Sequence, residues 1–181
     1  GTSFNDYLNS QRKAIAVQIE NQIESGKNEL ETKAELKNMF IIEKIIFDNA
    51  NSVITDTNSD KSEERLKEGQ LRRVIVKTYS YSIPFKGDYS LIQYKPNTFY
   101  GIEREADVTG NYHTKENVLK VYFESEINNQ AQFDHFKHES IGNLYDNTNE
   151  FNKEVEEWNN RKLEEVINEI YPLVVTHLNQ T

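Results

Sequence analysis

Apolar residues recur at helical spacing near the start of the chain. An amphipathic helix is predicted over residues 4 to 25, because its apolar positions lie four or seven residues apart: Phe4, Leu8, Ile15, Ile19 and Ile23. Ser3, followed three residues later by Asp6, is typical of a helix N-terminus, and Gly26 favours a stop.

The last part of the chain is also helical in pattern, from residue 130 to the end. One apolar face is predicted there, with Glu, Lys and Asn on the other, and consists of Phe151, Val155, Trp158, Leu163, Val166, Ile167, Ile170 and Val174. Because proline lacks an N–H donor, we expect Pro172 to end or kink this helix.

Residues 29 to 48 allow two interpretations. Their first part is rich in strong helix formers, whereas "MFIIEKIIF" is an apolar run that fits a helix or a buried strand. We favour a helix over residues 29 to 48, and the choice between helix and strand stays open for residues 39 to 47.

Alternating apolar and polar positions dominate the middle of the chain. They predict strands over residues 71 to 84, 89 to 95, 102 to 112 and 117 to 125. Pro84 should end the central ladder pairing or lie at an edge, since it cannot donate to a ladder. The periodicity is lost in "NANSVITDTNSDKSEE", which predicts an exposed loop around residues 55 to 63.

This order of elements predicts an α+β fold. A small antiparallel sheet of about four strands is flanked in sequence by long N- and C-terminal helices. We expect residues 1 to 181 to form a single domain, the N-terminal part of a longer protein.

Composition narrows the classes of partner. The net charge of −9 argues against non-specific nucleic-acid binding, which requires clustered Lys and Arg. The chain has no cysteine, so we expect a cytoplasmic location and no disulfide or thiolate chemistry. No apolar run approaches the ~20 residues of a membrane span, and we predict no membrane partner.

Metal and cofactor sites are not predicted. His135 and His138 could face one ion from a helix, but their surroundings match no zinc motif, and a solvated helix face is the simpler interpretation. Asp56, Asn58 and Asp60 resemble the start of a calcium loop, yet the required glycine and distal glutamate do not follow.

A metal-dependent nuclease is a further hypothesis. Its site would combine the carboxylates of Asp88, Glu103 and Glu105 with Lys120. "ERE" is not an E-x-K triplet, however, and cross-strand ion pairs explain the same residues. There is no G-x-S-x-G motif, so no catalytic residue is predicted.

Cations and aromatic rings lie close together after the first long strand. A binding site for an anionic ligand, nucleotide or nucleic acid is predicted as an alternative function, with candidate residues Lys86, Asp88, Tyr94, Lys95 and Arg104. Further cations lie upstream at Arg72, Arg73 and Lys77. The competing interpretation assigns the aromatic residues to the core and the cations to its rim.

Protein association is the third possibility. Trp158 lies on the apolar face of the last predicted helices, which suits self-association or docking to a following domain.

The segment "SYSIPFKGDYSLIQYKPNTFYG", residues 80 to 101, also carries a family resemblance. The matching positions are Ile83, Pro84, Phe85, Gly87, Asp88, Leu91, Tyr94, Pro96 and Thr98, then Ala106, Asp107, Val108, the strand "VLKVYF", Phe151 and Asn152. Over residues 71 to 165 the chain resembles N-terminal modules of uncharacterised multidomain bacterial defence-type proteins. Ile92 stands where those modules often have Phe, and "YGIEREA" replaces their proline-rich turn.

The resemblance implies a non-catalytic role. The chain would be a sensor, regulatory or oligomerisation module, and its partners would be a C-terminal nuclease-like or TIR-like effector domain of the same protein, or a second copy.

Overall fold

The computed structural model describes residues 3–88, 106–110 and 117–180. Helices and strands run in the order α1 Phe4–Glu24, α2 Glu29–Phe40, β1 Ile46–Phe47, β2 Val53–Lys67, β3 Gln70–Lys86, β4 Ala106–Gly110, β5 Asn117–Glu126, α3 Gln130–Glu157 and α4 Leu163–Asn179. They form two compact units. Among the described residues, the helical unit comprises 3–44 and 149–180, and the sheet unit comprises 45–88, 106–110 and 117–148.

The first helix begins where the sequence predicts. The Ser3 hydroxyl accepts a hydrogen bond from the Asp6 N–H at 3.0 Å, and the Ser3 N–H donates to the Asp6 carboxylate at 3.4 Å. Two otherwise unpaired donors of the first turn are thereby satisfied. After the helix ends, Gly26 has a φ of +82°, which glycine adopts without steric cost. The predicted helix over residues 4 to 25 is confirmed to within one residue.

The second helix is shorter than predicted. It ends at Phe40, and residues 46 and 47 form β1, so the predicted helix over residues 29 to 48 is wrong beyond Phe40. Contacts from a distant part of the chain explain the early end. The Trp158 indole N–H donates to the Phe40 carbonyl at 2.9 Å. The Asn159 amide accepts from the Ile42 N–H at 2.9 Å and donates to the Ile42 carbonyl at 2.7 Å.

We call these three hydrogen bonds the Asn159 clamp. Both side chains project from Trp158–Lys162, a single π-helical turn between α3 and α4 that the sequence pattern does not predict. Such turns are usually short interruptions of an α-helix that serve a specific local contact. The clamp satisfies backbone groups that the end of α2 leaves without partners inside the helix.

The C-terminal helices are confirmed, with one correction. The α3 helix begins at Gln130, the residue at which the prediction starts. However, α4 does not end at Pro172 and continues to Asn179. The core of the helical unit includes Phe4, whose ring meets that of Phe151 edge-on with centroids 5.4 Å apart.

The sheet is entirely antiparallel. Its strands are ordered β1-β3-β5-β4, and β2 also pairs with β3. Since β1 has two residues, the sheet contains four strands of ordinary length, which confirms the predicted α+β fold. The Phe133 ring of α3 packs edge-on against Tyr79 of β3, with centroids 4.9 Å apart, so the first part of α3 covers one face of the sheet.

The predicted loop around residues 55 to 63 is wrong. This segment belongs to β2, which pairs with β3 from Val53 to Lys67 and is interrupted by a bulge between Asp56 and Ser59. Most β2 side chains are exposed, so the strand lacks the alternation by which a strand is recognised in a sequence. Backbone hydrogen bonds to β3 hold it in place instead.

Pro84 lies inside β3 and does not end that strand. The chain stays paired with β5 there, with Pro84 opposite Val118. On the other side, pairing with β2 has its last partner at Ser82, and pairing with β1 begins at Phe85. The Pro84 carbonyl accepts from the Asp48 N–H at 2.8 Å, so the proline nitrogen also faces this side, between the two ladders.

The Asn159 clamp can be tested by mutation. Asn159→Ala removes both hydrogen bonds to the Ile42 backbone, so we expect the free energy of unfolding to fall by about 1–3 kcal/mol. Urea unfolding followed by Trp158 fluorescence measures this, because the single tryptophan is buried in the helical unit. The matched control is Asn160→Ala, an exposed neighbour that should change stability by less than about 0.5 kcal/mol. Equal losses in the two variants would contradict the clamp.

Candidate functional site

Of the predicted ligand residues, two are described. Lys86 is the last residue of β3, opposite Ile46, and Asp88 follows after Gly87 at a φ of +118°. The turn is held by the Asn117 amide, which donates to the Gly87 carbonyl at 3.4 Å. Tyr94, Lys95 and Arg104, like the predicted strand over residues 89 to 95, lie outside the described residues. The ligand site therefore stays a prediction.

The nuclease hypothesis also stays a prediction, because two of its candidate residues lie outside the described part of the chain. Lys120 lies on β5 opposite Asp107, whereas Glu103 and Glu105 are outside the described residues. Within the described part of the chain, no group of three or more His, Asp or Glu side chains is placed to hold a metal ion.

The two histidines lie on α3. They line an open depression on the helix surface together with Asp134, Lys137 and Ile141. The His135 imidazole is 70% exposed and lies 3.5 Å from the Glu139 carboxylate. This is the arrangement of a solvated helix face.

Trp158 is buried in the helical unit. Its side chain is 2% exposed, and its indole N–H is used by the Phe40 carbonyl. Its predicted role at an interface stays a prediction, and in this structure the ring contributes to the core and to the Asn159 clamp.

Two of the calcium-like residues of β2 lie beside a lysine. The Lys77 ammonium lies 2.8 Å from the Asp56 carboxylate and 3.8 Å from that of Asp60. Asp56 also accepts from the Asn58 N–H at 2.8 Å, within the bulge, where Asn58 has a φ of +56°. The hydrogen bond from Lys77 lowers the pKa of Asp56, so a side chain of the protein itself balances this negative charge.

A second polar cluster surrounds Tyr145. Its hydroxyl donates to the Asn49 side-chain oxygen and lies 3.3 Å from the Tyr81 hydroxyl. Burial, together with the hydrogen bond to Tyr81, raises the pKa of Tyr145 far above its usual value. The phenol therefore stays protonated at neutral pH.

Among the described strands, β2 and β3 form a hairpin that extends past the end of β5. The last residue of β3 that pairs with β5 is Val76, opposite Glu126. Beyond it, β2 is the only described strand that pairs with β3. We call residues 62 to 75 the hairpin arm. Its two-residue turn, Glu68 and Gly69, has φ values of +50° and +80°, as a tight hairpin requires.

One face of the arm is apolar and exposed. Leu66 and Leu71 are cross-strand partners with 69% and 70% of their surface exposed. Ile75, four residues from Leu71 and thus on the same face, is 44% exposed. Between them, Arg73 lies 3.7 Å from the Glu64 carboxylate. Exposed apolar side chains grouped on one face of a strand pair, here with one ion pair among them, are typical of an interaction surface.

The opposite face of the arm is charged, and two of its cations are paired with carboxylates. Arg65 lies 3.0 Å from the Glu63 carboxylate and 3.1 Å from that of Glu126. Lys67 reaches the second carboxylate oxygen of Glu126 at 2.7 Å.

The contact between Lys67 and Glu126 shows that the arm bends. On β3, the partner of Lys67 is Gln70 and the partner of Glu126 is Val76. These two partners are six residues apart along the strand. On a straight strand this separation would be about 20 Å, more than the two side chains can bridge. The arm therefore curls toward its charged face and presents its apolar face on the convex side, as the strong twist of a two-stranded ribbon allows.

Glu126 holds this curl. Its side chain is 7% exposed and also accepts from the Asn129 amide at 3.3 Å. The hydrogen bond from Lys67, followed by those from Asn129 and Arg65, lowers the pKa of Glu126 against the opposing effect of burial. The carboxylate is thus ionised at neutral pH and stabilises both cations of the arm.

Sequence reasoning missed the arm because it assigned half of β2 to a loop. A usable indication was present in "RLKEGQLR", where Leu66 and Leu71 flank a Glu-Gly pair symmetrically. The matching apolar positions on both sides of two turn residues predict a hairpin even though the neighbouring residues are charged.

Comparisons with protein-family models, curated proteins and solved structures found no match for this chain. None of the described helices combines the length and apolar character that crossing a membrane requires.

The role of Glu126 predicts a specific pH dependence. Because its pKa is lower in the folded chain than the ordinary value of 4.5, its contribution to stability is complete above about pH 4.5 and is lost as the pH falls through the folded pKa. At neutral pH, Glu126→Gln should therefore lower the free energy of unfolding by about 1–2 kcal/mol, and the difference from wild type should shrink under acid.

Unfolding by urea at a series of pH values between neutral and acid measures this difference. The control is Glu64→Gln, which removes an exposed carboxylate from the other face of the arm and should cost less than about 0.5 kcal/mol. A Glu126→Gln deficit that stays constant with pH would show that the carboxylate does not hold the arm electrostatically.

Proposed function

We propose that this chain is a non-catalytic protein-interaction module and that the hairpin arm is its contact surface. The observation that carries the proposal is the exposure of Leu66, Leu71 and Ile75 on one face of a two-stranded arm. A two-stranded ribbon gains little stability from its own pairing, so a long arm with an apolar outer face suits a surface that another chain covers.

The electrostatics of the arm support the same role. On its charged face, Arg65 and Lys67 are balanced by Glu63 and Glu126, whereas the apolar face has no comparable cover among the described residues. Glu126 keeps the arm in one curled conformation before any partner arrives. A preorganised surface loses less conformational entropy on binding than a flexible one.

The resemblance to N-terminal modules of multidomain bacterial defence-type proteins agrees with an interaction role. Under that resemblance, the arm would contact an effector domain of the same protein or of a neighbouring copy, and would regulate it. The alternative of an anionic-ligand site at Lys86 has less support, because three of its five candidate residues lie outside the described part of the chain.

Site-specific photo-crosslinking tests the proposal. With a benzophenone amino acid in place of Leu71, irradiation of cells that express the full-length protein should give one discrete adduct, identified by mass spectrometry. The same adduct should form from Leu66, because the two residues are cross-strand partners. Lys13, an exposed residue of α1, is the control position and should give no such adduct. Absence of an adduct from both leucine positions would refute the arm as a contact surface.

A further inference from the structure

The edge of the hairpin arm indicates what kind of segment it binds. Building on the proposed function, we propose that the partner contributes an extended acidic segment, which adds as a strand to the outer edge of β3 at residues 71 to 75. Strand addition of this kind takes its affinity from backbone hydrogen bonds and its specificity from alternate side chains.

The backbone of β3 presents free groups at this edge. In an antiparallel ladder, the N–H and C=O of one residue point to the same side, and successive residues alternate. The Ile75 carbonyl accepts from the Ile127 N–H at 2.9 Å, so odd-numbered residues of β3 face away from β2. Leu71 and Arg73 therefore direct both backbone groups outward, where no described strand pairs with them.

The same edge is already in use further along the sheet. From Val76 to Phe85, β5 pairs with this side of β3, and Ile127 makes the last backbone contact before the chain turns into α3. An added strand would thus continue the line of β5 over the part of β3 that β5 leaves uncovered. On the apolar face it would cover Leu71 and Ile75, and it would lie beside Ile127, which is 37% exposed.

Charge selects an acidic occupant. Arg72 lies directly opposite Arg65, an unfavourable pairing of like charges. Arg65 is neutralised by Glu63 and Glu126, whereas Arg72 is exposed and has no ion-pair partner among the described residues. Arg73 is a further cation on this strand, but it lies on the other face, 3.7 Å from the Glu64 carboxylate. A carboxylate of the incoming strand beside Arg72 would supply the missing counter-charge.

The same argument disfavours a second copy of this strand. Antiparallel pairing of two β3 edges, centred to cover residues 71 to 75, places Arg73 of one copy opposite Arg73 of the other. Like charges directly opposite each other destabilise such a pair. An acidic segment with alternating apolar residues would place carboxylates beside Arg72 and apolar side chains beside Leu71 and Ile75.

Two labelled peptides provide the test with the intact chain. The acidic probe alternates Val and Glu over seven residues, and the basic probe alternates Val and Lys. Fluorescence anisotropy should show the acidic peptide binding roughly tenfold more tightly than the basic one, with an affinity that falls as salt is added. Hydrogen exchange should slow at the Leu71 and Arg73 amides on binding, while the Arg72 amide, which already faces β2, stays unchanged.

A charge reversal at Arg72 tests whether this side chain sets the preference between the two peptides. Arg72→Glu should exchange the preference of the two peptides, and it should fold because the new carboxylate faces Arg65. Lys13→Glu, the matched reversal on α1, should leave the preference as it was. Equal binding of both peptides, or unchanged exchange at Leu71 and Arg73, would overturn strand addition.

The crosslinking result separates the two proposals. An adduct from Leu71 without a preference for the acidic peptide would retain the arm as a contact surface and reject the acidic strand. If neither adduct nor peptide binding occurs, both proposals are wrong.

Discussion

The sheet unit is organised by the pairing of one long strand with a shorter neighbour. Strand β3 has 17 residues, and β5 covers the ten from Val76 to Phe85. The residues of β3 that precede Val76 pair only with β2 among the described strands, and a two-stranded ribbon has no third strand to limit its twist. The curl of the hairpin arm, its exposed apolar face and its open edge all follow from this difference in length.

Glu126 lies at the boundary between the part of β3 that pairs with both β2 and β5 and the part that pairs only with β2. It is the last residue of β5, and its buried carboxylate binds cations from the part of the hairpin that β5 does not reach. A buried acid with two basic partners costs desolvation energy, and in some proteins such groups specify one geometry at the expense of stability. In this chain the geometry specified is the direction in which the arm bends, which in turn decides which of its faces is presented outward.

Sequence patterns correctly predicted the elements that are stabilised by contacts between neighbouring residues and the strands whose buried and exposed side chains alternate. The capping residues Ser3 and Asp6 marked the start of α1, and the buried alternation of β5 marked a strand. The sequence patterns failed where a distant contact decides the structure. The end of α2 at Phe40 depends on Trp158 and Asn159, more than one hundred positions away, and β2 depends on the backbone of β3. Of the candidate site, the sequence shows the cations Arg72 and Arg73. Their position on an unpaired strand edge depends on the register between β3 and its neighbours, which the sequence pattern does not give.

The helical unit also imposes an order on synthesis. Its described residues come from the two ends of the chain, 3–44 and 149–180, and the hydrogen bonds between Ile42 and Asn159 join positions 117 apart. On a ribosome that adds about 5–20 residues per second, α1 and α2 would wait roughly 6–30 s for their packing partners in α4. The sheet residues emerge during that interval. Until α4 has been synthesised, Phe4, Ile15 and Leu36 have no completed core, and their apolar surface stays exposed to other chains.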